Sequence, residues 1–238
     1  MKFLDLTLPT PAENLAADEA LLDSCEETTE GPEILRVWEP TQYFVVVGYA
    51  NKVNVEVNAK ACRAKGIPIL RRCSGGGAVV QGPGCLNYSL ILNFAENPLL
   101  QTITQTNHLV MQRHREFFES LLQRPVTIEG HTDLARDRLK FSGNAQRRKK
   151  QFLLFHGTFL LHFDISLIEE LLEMPSRQPG YRESRSHQNF LVNLGQPAAD
   201  LKLALRRLWG ASESLGHLPD FLEATTAKYR NEKWNHKF

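Results

Sequence analysis

The 238-residue chain has only four cysteines, and their spacing excludes the common cysteine-based sites. No pair has the C-x-x-C spacing, and none clusters with histidine in a way that is typical of zinc. The four are Cys25, Cys62, Cys73 and Cys85. Free thiols are the simplest interpretation, which predicts a reducing, cytoplasmic setting.

Long apolar runs and an excess of charge are absent as well. No apolar run reaches the roughly 18 residues that a membrane-spanning helix needs. The start of the chain, with Asp5 and two early prolines, does not resemble a signal peptide. Lys and Arg total 28 against 27 Asp and Glu, which gives a formal net charge of +1. The composition therefore predicts neither a nucleic-acid partner nor a membrane partner.

Hydrophobic patterns predict helices and strands that do not alternate strictly. The predicted strands are 33–38, 43–48, 67–70, 86–94, 126–129, 139–142 and 152–163. The predicted helices are 14–27 with Asn14 as its cap, 54–65, 102–123, 166–173, 198–209 and 219–229. Neighbouring strands beside scattered helices favour an α+β fold with a mixed, largely antiparallel sheet flanked by helices.

The first candidate site is the glycine-rich loop at residues 71–78, with sequence RRCSGGGA, between two predicted strands. Three successive glycines permit positive φ, and their N–H groups can converge on an anion. Ser74 adds a hydroxyl, and the arginine pair can neutralise phosphate or carboxylate. The loop matches neither the P-loop nor the dinucleotide-binding pattern. A tight turn without a ligand is the alternative, which two arginines in need of partners disfavour.

The second candidate site is the segment 139–147, with sequence LKFSGNAQR. Alternation with Leu139 and Phe141 points Lys140 either to a cavity or, as a solvated lysine on a sheet face, to solvent. The small residues Ser142 to Ala145 predict a tight turn where the backbone approaches a ligand.

A histidine and a basic run follow this segment. His156 lies next to Gly157, and it is either a site residue or a core histidine bonded to the backbone. The run 147–150 predicts a solvated hairpin tip or a patch for an acidic acceptor domain or phosphates. Arg147, the nearest to the predicted turn, is the candidate site residue.

Together these segments resemble the lipoate–protein ligase A family, in the superfamily that includes lipoyl/octanoyl transferases and biotin–protein ligases. The matching stretches are 71–79 to the R-R-x-S-G-G-G-A-V loop, 86–89 to L-N-Y-S, 140–147 to K-x-S-G-x-A-x-R, 156–158 to H-G-T and 14–21 to the first helix. The resemblance spans about residues 1 to 195 and consists of several ordered motifs.

The resemblance implies a fold similar to biotin and lipoate ligase catalytic domains, which are class II synthetase-like. Such ligases make an acyl-adenylate from lipoate or octanoate and MgATP, then pass the acyl group to a lysine of a lipoyl domain. Lys140 would be the catalytic charge at the acyl carbonyl and α-phosphate. The implied nucleotide- and acyl-binding residues are Arg71, Arg72, Ser74, Gly75, Gly76, Gly77, Ala78, Val79, Val80, Asn87, Asp133, Ser142, Gly143, Ala145, Arg147, His156, Gly157 and Thr158. Asp133 is also the candidate Mg²⁺ ligand, with an ordinary loop cap as the alternative.

Sister enzymes of that superfamily transfer octanoate from acyl carrier protein through a cysteine thioester and use no ATP. Here no cysteine follows Cys85, and neither Cys73 nor Cys85 matches a nucleophile position, so both are interpreted as packing residues. An ATP-dependent ligase is therefore favoured over an octanoyl transferase. A non-catalytic lipoyl-binding or regulatory homologue is the third hypothesis, which the presence of Lys140 disfavours.

The resemblance also bears on domains and partners. Residues 1–195 would form the catalytic domain and residues 196–238 a short helical extension of it, in place of the accessory domain that many bacterial ligases carry. The chain would then adenylate alone or work with a separate accessory protein. The implied acceptor is a lipoyl domain of the 2-oxoacid dehydrogenase or glycine cleavage H type. The polar segment 181–187 would close over the site, bind the acceptor, or do neither.

Overall fold

Two β-sheets organise the chain, for which a computed structural model describes residues 1–28 and 31–238. The strands are β1 (Lys2–Asp5), β2 (Ile34–Trp38), β3 (Phe44–Val47), β4 (Ile69–Arg71), β5 (Val79–Gln81), β6 (Cys85–Asn93), β7 (Thr127–Glu129), β8 (Asp133–Arg136), β9 (Leu139–Arg148), β10 (Phe152–Leu160) and β11 (Glu213–Ser214). The helices are α1 (Pro11–Thr28), α2 (Val53–Glu56), α3 (Ala59–Ala64), α4 (Ile103–Leu122), α5 (Ser166–Leu171), α6 (His187–Phe190), α7 (Ala198–Leu208), α8 (Leu222–Arg230) and α9 (Glu232–Asn235), with 3₁₀ turns at Pro98–Leu100 and Gly180–Arg182.

The larger sheet has eight strands in the order β11-β1-β2-β6-β10-β9-β8-β7. Strand β1 runs parallel to both of its neighbours, and the remaining pairings are antiparallel. The smaller sheet has the order β4-β3-β5, with β3 parallel to β4 and antiparallel to β5. The predicted mixed, largely antiparallel α+β architecture is confirmed.

Each face of the larger sheet has its own cover. Helix α4 places Val110, Met111 and Phe118 in the main core on one face, together with Leu201 and Leu205 of α7. Helix α1 packs closely at the other face because its alanines are small, and Ala16 is fully buried. The smaller sheet has its own apolar clusters with parts of α1, α3 and α5. Its strands β4 and β5 flank the glycine loop.

Helix α1 begins earlier than predicted, and Asn14 is not its cap. Thr10 accepts the N–H of Glu13 while its own N–H donates to the Glu13 carboxylate, which is a capping box with Pro11 at the first helical position. Asn14 lies one turn inside the helix, where its buried amide hydrogen-bonds the backbone of Leu8. Its role is to hold the incoming chain rather than to cap.

The most consequential correction concerns Ser142 to Ala145, which form no turn. They lie in the middle of the ten-residue strand β9, between β8 and β10. All four pair with β10, and Ser142 also pairs with β8, so this pairing supplies the hydrogen bonds that keep the glycine-containing chain extended. The chain turns only after Arg148, so residues 147 and 148 belong to the strand and not to the hairpin tip.

Smaller differences have local causes. The predicted helix 54–65 is broken because Val57 is extended and bridges Leu172, after which Asn58 caps α3. Strands β1, β5, β8 and β11 were missed because each is only two to four residues long. Across residues 1–28 and 31–238, no helix is long and apolar enough to cross a membrane.

Candidate active site

The glycine loop lies against the face of the larger sheet that β9 and β10 expose to it. A Cβ atom added to Gly76 would sit 3.8 Å from the Cβ of Ala145. The Ser74 Oγ is 2.6 Å from Nε2 of His156. Ala145 and His156 are cross-strand neighbours on β9 and β10. The two segments that the sequence singled out therefore meet at one site.

Arg72 holds the loop from the inside. Its buried guanidinium donates to the carbonyl oxygens of Gly75 and Gly77 and to Ser74 Oγ, over 2.6 to 3.1 Å. Burial lowers the pKa of Arg72 to about 10, which leaves the side chain cationic at neutral pH. Since the peptides are trans, the N–H groups of Gly76 and Ala78 point away from the arginine. An anion on that side of the loop would meet these N–H groups.

Gly76 is the loop position that only glycine fits. Its φ is +90°, and an added Cβ would lie 2.8 Å from the Arg72 guanidinium. Gly75 and Gly77 have open space at the corresponding positions. The three exposed glycines keep the loop's outer surface free of side chains.

Arg71 does not face this site. Its side chain is fully buried and donates to backbone carbonyls of residues 48, 49, 51, 234 and 235. With its N–H groups satisfied by carbonyl oxygens, the guanidinium has no direct path to a phosphate. The structure therefore corrects its predicted placement, and Arg71 joins the chain's C-terminal segment to the base of the loop.

Lys140 lies over the backbone of β9, between the two alternatives that the sequence left open. Its Nζ would be 2.9 Å from a Cβ atom added to Gly143, so the side chain lies over the strand backbone. Gly143 is paired with Thr158 of β10. The ammonium makes a 2.8 Å ion pair with Asp133, and both side chains are mostly buried. Lys140 is thus neither fully solvated nor buried in the core.

Asp133 has a second partner. The hydroxyl of Tyr181 donates to its other oxygen at 3.0 Å. Burial followed by the Asp133 charge raises the pKa of Tyr181, which keeps the phenol protonated. Tyr181 belongs to the polar segment that the sequence left unassigned, and the segment therefore contacts the Lys140 region directly.

The fit of a metal ion here is limited. Within residues 1–28 and 31–238, no three His, Cys, Asp or Glu residues are grouped so as to hold a metal. Asp133 offers one carboxylate, and that carboxylate is engaged by Lys140 and Tyr181. One carboxylate suffices only for a Mg²⁺ ion that arrives with phosphate oxygens, as in nucleotide sites.

The pairing of β9 with β8 shifts register between Lys140 and Ser142, which interrupts strict alternation and decides how the predicted residues divide between the two faces of the sheet. Gly143 and Ala145 share the site face with Lys140's ammonium, whereas Ser142 and Asn144 point to the α4 side. Ser142 is buried and accepts from the Asn144 amide, whose oxygen accepts from the Tyr88 hydroxyl. The Ser142 side chain therefore faces away from the site, and a ligand contact of Ser142 stays a prediction.

Gly157 is required by this opposite face. A Cβ atom there would lie 1.7 Å from Asn144 Oδ1. Its lack of a side chain allows the Asn144–Tyr88 hydrogen bond beneath the sheet.

A buried amide cluster lies beside the loop. Gln81 donates to the Thr158 hydroxyl at 2.6 Å, and Thr158 donates to the Asn87 side-chain oxygen at 2.5 Å. Gln81 Oε1 and Asn87 Nδ2 are buried without a partner in the described chain. Asn87 and Thr158 were predicted, whereas Gln81 was missed because it follows the glycine motif at the end of a very short strand.

The remaining predicted residues divide between apolar clusters and the surface. Ala78 and Val80 pack with the small-sheet core, and Val79 packs against the cluster below α1. Arg147 is exposed, with its guanidinium 5.8 Å from the ring centre of Tyr49.

A buried ion pair supports His156 from below and was missed in the sequence. Asp18 of α1 lies 2.6 Å from Arg36 of β2 and 3.5 Å from Nδ1 of His156. Burial alone would raise the pKa of Asp18, but the Arg36 guanidinium and His156 bring it below its ordinary value. Two signals existed: an arginine inside an otherwise apolar strand, and a carboxylate inside an alanine-rich helix.

All four cysteines are buried. Burial raises the pKa of Cys25, Cys73 and Cys85 to about 12 and also raises that of Cys62. Such thiols remain protonated at neutral pH and are poor nucleophiles.

Comparison with known proteins decides the family. The family model "Lipoyl protein ligase A/B catalytic domain" matches residues 10–202. The chain belongs to this family.

Two relatives of this family member carry different names. Octanoyltransferase LipM of Anoxybacillus flavithermus is 30% identical over 218 residues, covering 82% of this chain and 77% of the relative. Lipoate-protein ligase A subunit 1 of Thermoplasma acidophilum is 27% identical over 257 residues, covering 97% and 95%. The family thus fixes an enzyme of lipoate ligase or octanoyltransferase type.

Solved structures agree on the fold. A Thermoplasma acidophilum lipoate protein ligase with bound lipoic acid has a TM-score of 0.82 at 20% identity, covering 99% of this chain and 98% of that one. A lipoate-protein ligase A bound with ATP has a TM-score of 0.80 at 22% identity, covering 99% of each. A bipartite lipoate protein ligase described with its E2 lipoyl domain, also from Thermoplasma acidophilum, has a TM-score of 0.78 at 22% identity, covering 99% and 96%.

Proposed function

We propose that this protein is an ATP-dependent lipoate–protein ligase, which makes lipoyl-AMP and transfers the lipoyl group to a lysine of a lipoyl domain. One observation carries the proposal: the Lys140 ammonium and the glycine loop share a sheet face, while the cysteines are buried and protonated. That arrangement suits the joining of two anions and offers no thioester nucleophile.

The chemistry requires that a carboxylate attack the α-phosphate of a triphosphate, so that the α–β phosphoanhydride bond breaks and pyrophosphate leaves. These anions repel each other, and a fixed cation with oriented N–H groups at their junction lowers the barrier. Lys140 supplies the cation, and the loop N–H groups opposite Arg72 supply the dipoles. Before the substrates bind, Asp133 holds Lys140 in place through their ion pair. When the carboxylate and the phosphate arrive, they take the place of Asp133 as partners of the lysine, so one ion pair is exchanged for another.

The relatives support both steps as proposals for this chain. Structures of similar proteins are named for bound lipoic acid, bound ATP and an E2 lipoyl domain. We extend the proposal to MgATP as co-substrate, with Asp133 as the carboxylate nearest to its metal. The acceptor would be a lipoyl domain of the 2-oxoacid dehydrogenase or glycine cleavage H type.

An octanoyltransferase is the second candidate function, because relatives named LipM match this chain. A thioester transferase needs an accessible thiolate beside an activating group. Every thiol here is buried, and burial raises the pKa of Cys25, Cys73 and Cys85 to about 12. This chemistry favours the ligase.

The deciding experiment offers a purified lipoyl domain two acyl donors in parallel. One reaction contains lipoate, ATP and Mg²⁺, and the other contains octanoyl-carrier protein without ATP. We expect acyl-lysine, measured by intact mass, in the first reaction only. Product in the second reaction alone would overturn the ligase proposal.

Two variants sharpen this test. Lys140→Ala should lower ligation by at least about 100-fold, since a single electrostatic group in a transition state contributes about 3 kcal/mol. A variant with all four cysteines changed to alanine should retain ligation, because alanine leaves no buried hydroxyl. Loss of activity in a folded cysteine-free variant would instead support the transferase.

We also propose that residues 196–238 belong to the same domain as residues 1–195. Leu201, Leu205 and Trp209 lie in the main core with the sheet. The name "subunit 1" of the Thermoplasma relative motivates a parallel assay with an added accessory protein of that type.

A further inference from the structure

A line of four polar side chains crosses the sheet beneath the glycine loop. Ser74 Oγ is 2.6 Å from His156 Nε2, and His156 Nδ1 is 3.5 Å from Asp18 Oδ2. The other Asp18 oxygen accepts from Arg36 at 2.6 Å. Serine, histidine and aspartate thus follow one another, with a hydrogen bond between the first two, a 3.5 Å contact between the histidine and the aspartate, and the aspartate held by an arginine.

Sheet register places this line. His156 of β10 is paired with Ser89 of β6, and Ser89 is paired with Arg36 of β2. The small side chain of Ser89 leaves room between the two larger ones for Asp18, which descends from α1. Asp18 and Arg36 are almost fully buried, whereas His156 retains 13% of its side-chain surface at the site. The buried pair therefore acts at the site only through the histidine.

The donors and acceptors fix the direction of each hydrogen bond. Asp18, ionised through its contact with Arg36, can only accept, so the facing Nδ1 of His156 carries the proton. In the neutral imidazole Nε2 is then an acceptor, and the Ser74 hydroxyl must donate to it. Ser74 Oγ meanwhile accepts from Arg72 Nε at 3.1 Å. Both ends of the serine hydroxyl are thereby assigned.

The consequence lies in the loop. Arg72 donates hydrogen bonds to the loop carbonyls from inside the loop. His156 hydrogen-bonds Ser74, the residue before the glycines, and so fixes it to the sheet. With the opposite tautomer, Nε2–H would donate to Ser74 Oγ, and the Ser74 hydroxyl proton would lose its acceptor. The loop would then lose a donor–acceptor match at the residue that sets its position.

We propose that Asp18 is a positioning residue of this site, which fixes His156 as the Nδ1–H tautomer and thereby fixes Ser74 and the glycine loop for the reaction. This proposal for Asp18 rests on the proposed function only in the kinetic test, where the function determines which acyl donor is used. The Asp18 carboxylate touches no substrate; it acts through His156.

The primary test is spectroscopic and needs no activity. Long-range ¹H–¹⁵N spectra of the full-length protein distinguish protonated from unprotonated imidazole nitrogens, and the His156 signals are identified by their loss in His156→Gln. We expect a protonated Nδ1 and an unprotonated Nε2 in the wild type. An Nε2–H tautomer for His156 in the wild type would overturn the proposal.

Variants test the cause. Asp18→Asn should lose the tautomer preference, because an amide can present either oxygen or NH₂, and kcat should fall by about 10- to 100-fold, as for small misplacements of reacting groups. Asp18→Glu should restore part of both effects. The matched control is Asp23→Asn, which removes the carboxylate that pairs with Lys149 on the same helix and should leave tautomer and kcat unchanged.

Ser74→Ala keeps the test decisive even if Asp18→Asn does not fold. His156 should stay Nδ1–H in that variant, because Asp18 and not Ser74 sets the tautomer; a switch to Nε2–H would contradict the proposal. A folded Asp18→Asn protein with wild-type tautomer and kcat within twofold would also contradict it. A wild-type protein that is inactive with ATP would overturn the proposed function. The spectra would still test the role of Asp18, because they need no activity.

Discussion

At the residue scale, the adjacent arginines of the glycine loop have opposite roles. Arg72 points into the loop and binds its carbonyls, whereas Arg71 points into the protein and binds carbonyls from the chain's C-terminal segment and from residues 48–51. Strand alternation at the end of β4 separates the two side chains. One side chain thus shapes the site and the other anchors it.

Replacing Arg71 by lysine should destabilise the whole protein. A lysine cannot reproduce the planar set of donors, so several buried carbonyls lose their partners, at an expected cost of about 2–4 kcal/mol in the free energy of unfolding. Urea unfolding measures this. Arg230→Lys is the control, because its ion pairs are exposed and should contribute less than about 1 kcal/mol. Equal losses in the two variants would refute the anchoring role.

The glycines should differ among themselves as sharply as the arginines. Gly76→Ala forces an L-residue to φ +90° and moves the Arg72 guanidinium, so we expect a loss of about 1–2 kcal/mol and weaker ATP binding. Gly75→Ala meets no atom and should leave the free energy of unfolding unchanged. Calorimetric ATP binding and urea unfolding report the two effects. A Gly76→Ala protein as stable as the wild type would contradict the positive φ of Gly76 and its close contact with Arg72.

At the element scale, helix α9 holds the end of strand β4, from which the glycine loop departs. The Asn235 side chain accepts the Arg71 N–H at 2.9 Å and donates to the Tyr229 carbonyl at 2.9 Å. Trp234 donates its indole N–H to the Arg71 carbonyl. The C-terminal segment therefore completes strand β4 at the point where the glycine loop departs.

Removing this lock should loosen the loop without touching it. In Asn235→Ala the Arg71 N–H loses its acceptor, and we expect hydrogen exchange in residues 71–77 to quicken by about tenfold, which corresponds to one lost hydrogen bond. Lys233→Ala, on the same short helix but exposed, should leave exchange unchanged. Mass spectrometry measures the exchange. Equal exchange rates of residues 71–77 in the two variants would contradict the role of Asn235.

At the scale of the whole molecule, the site exists only where two sheets meet. Strands β4 and β5 of the smaller sheet deliver the loop, and β9 and β10 of the larger sheet deliver Lys140 and His156. The segment with Tyr181 adds a third contribution through Asp133. Ligands that bind to both sheets at once should raise the free energy of unfolding.

We therefore expect lipoate and MgATP to stabilise the protein against heat. Ligands at 100 times their Kd add about 2.7 kcal/mol, which corresponds to roughly 5–10 °C in Tm for a chain of this size. Scanning calorimetry with lipoate, with ATP, and with both measures the effect. Lys140→Ala should abolish most of it, and a wild-type Tm unmoved by ATP would contradict nucleotide binding.

The sequence by itself determined the mixed α+β class, the glycine loop, the lysine segment and the family, because those features are local patterns. It could not distinguish Arg71 from Arg72, nor the strand at Ser142 to Ala145 from a turn, because partners distant in the chain supply their hydrogen bonds. Tertiary structure placed Asp18, Arg36 and Gln81 at the site, and it brought Tyr181 there from a segment whose role the sequence left open. Their roles come from charges and amides that folding buries next to one another, where each must find a partner.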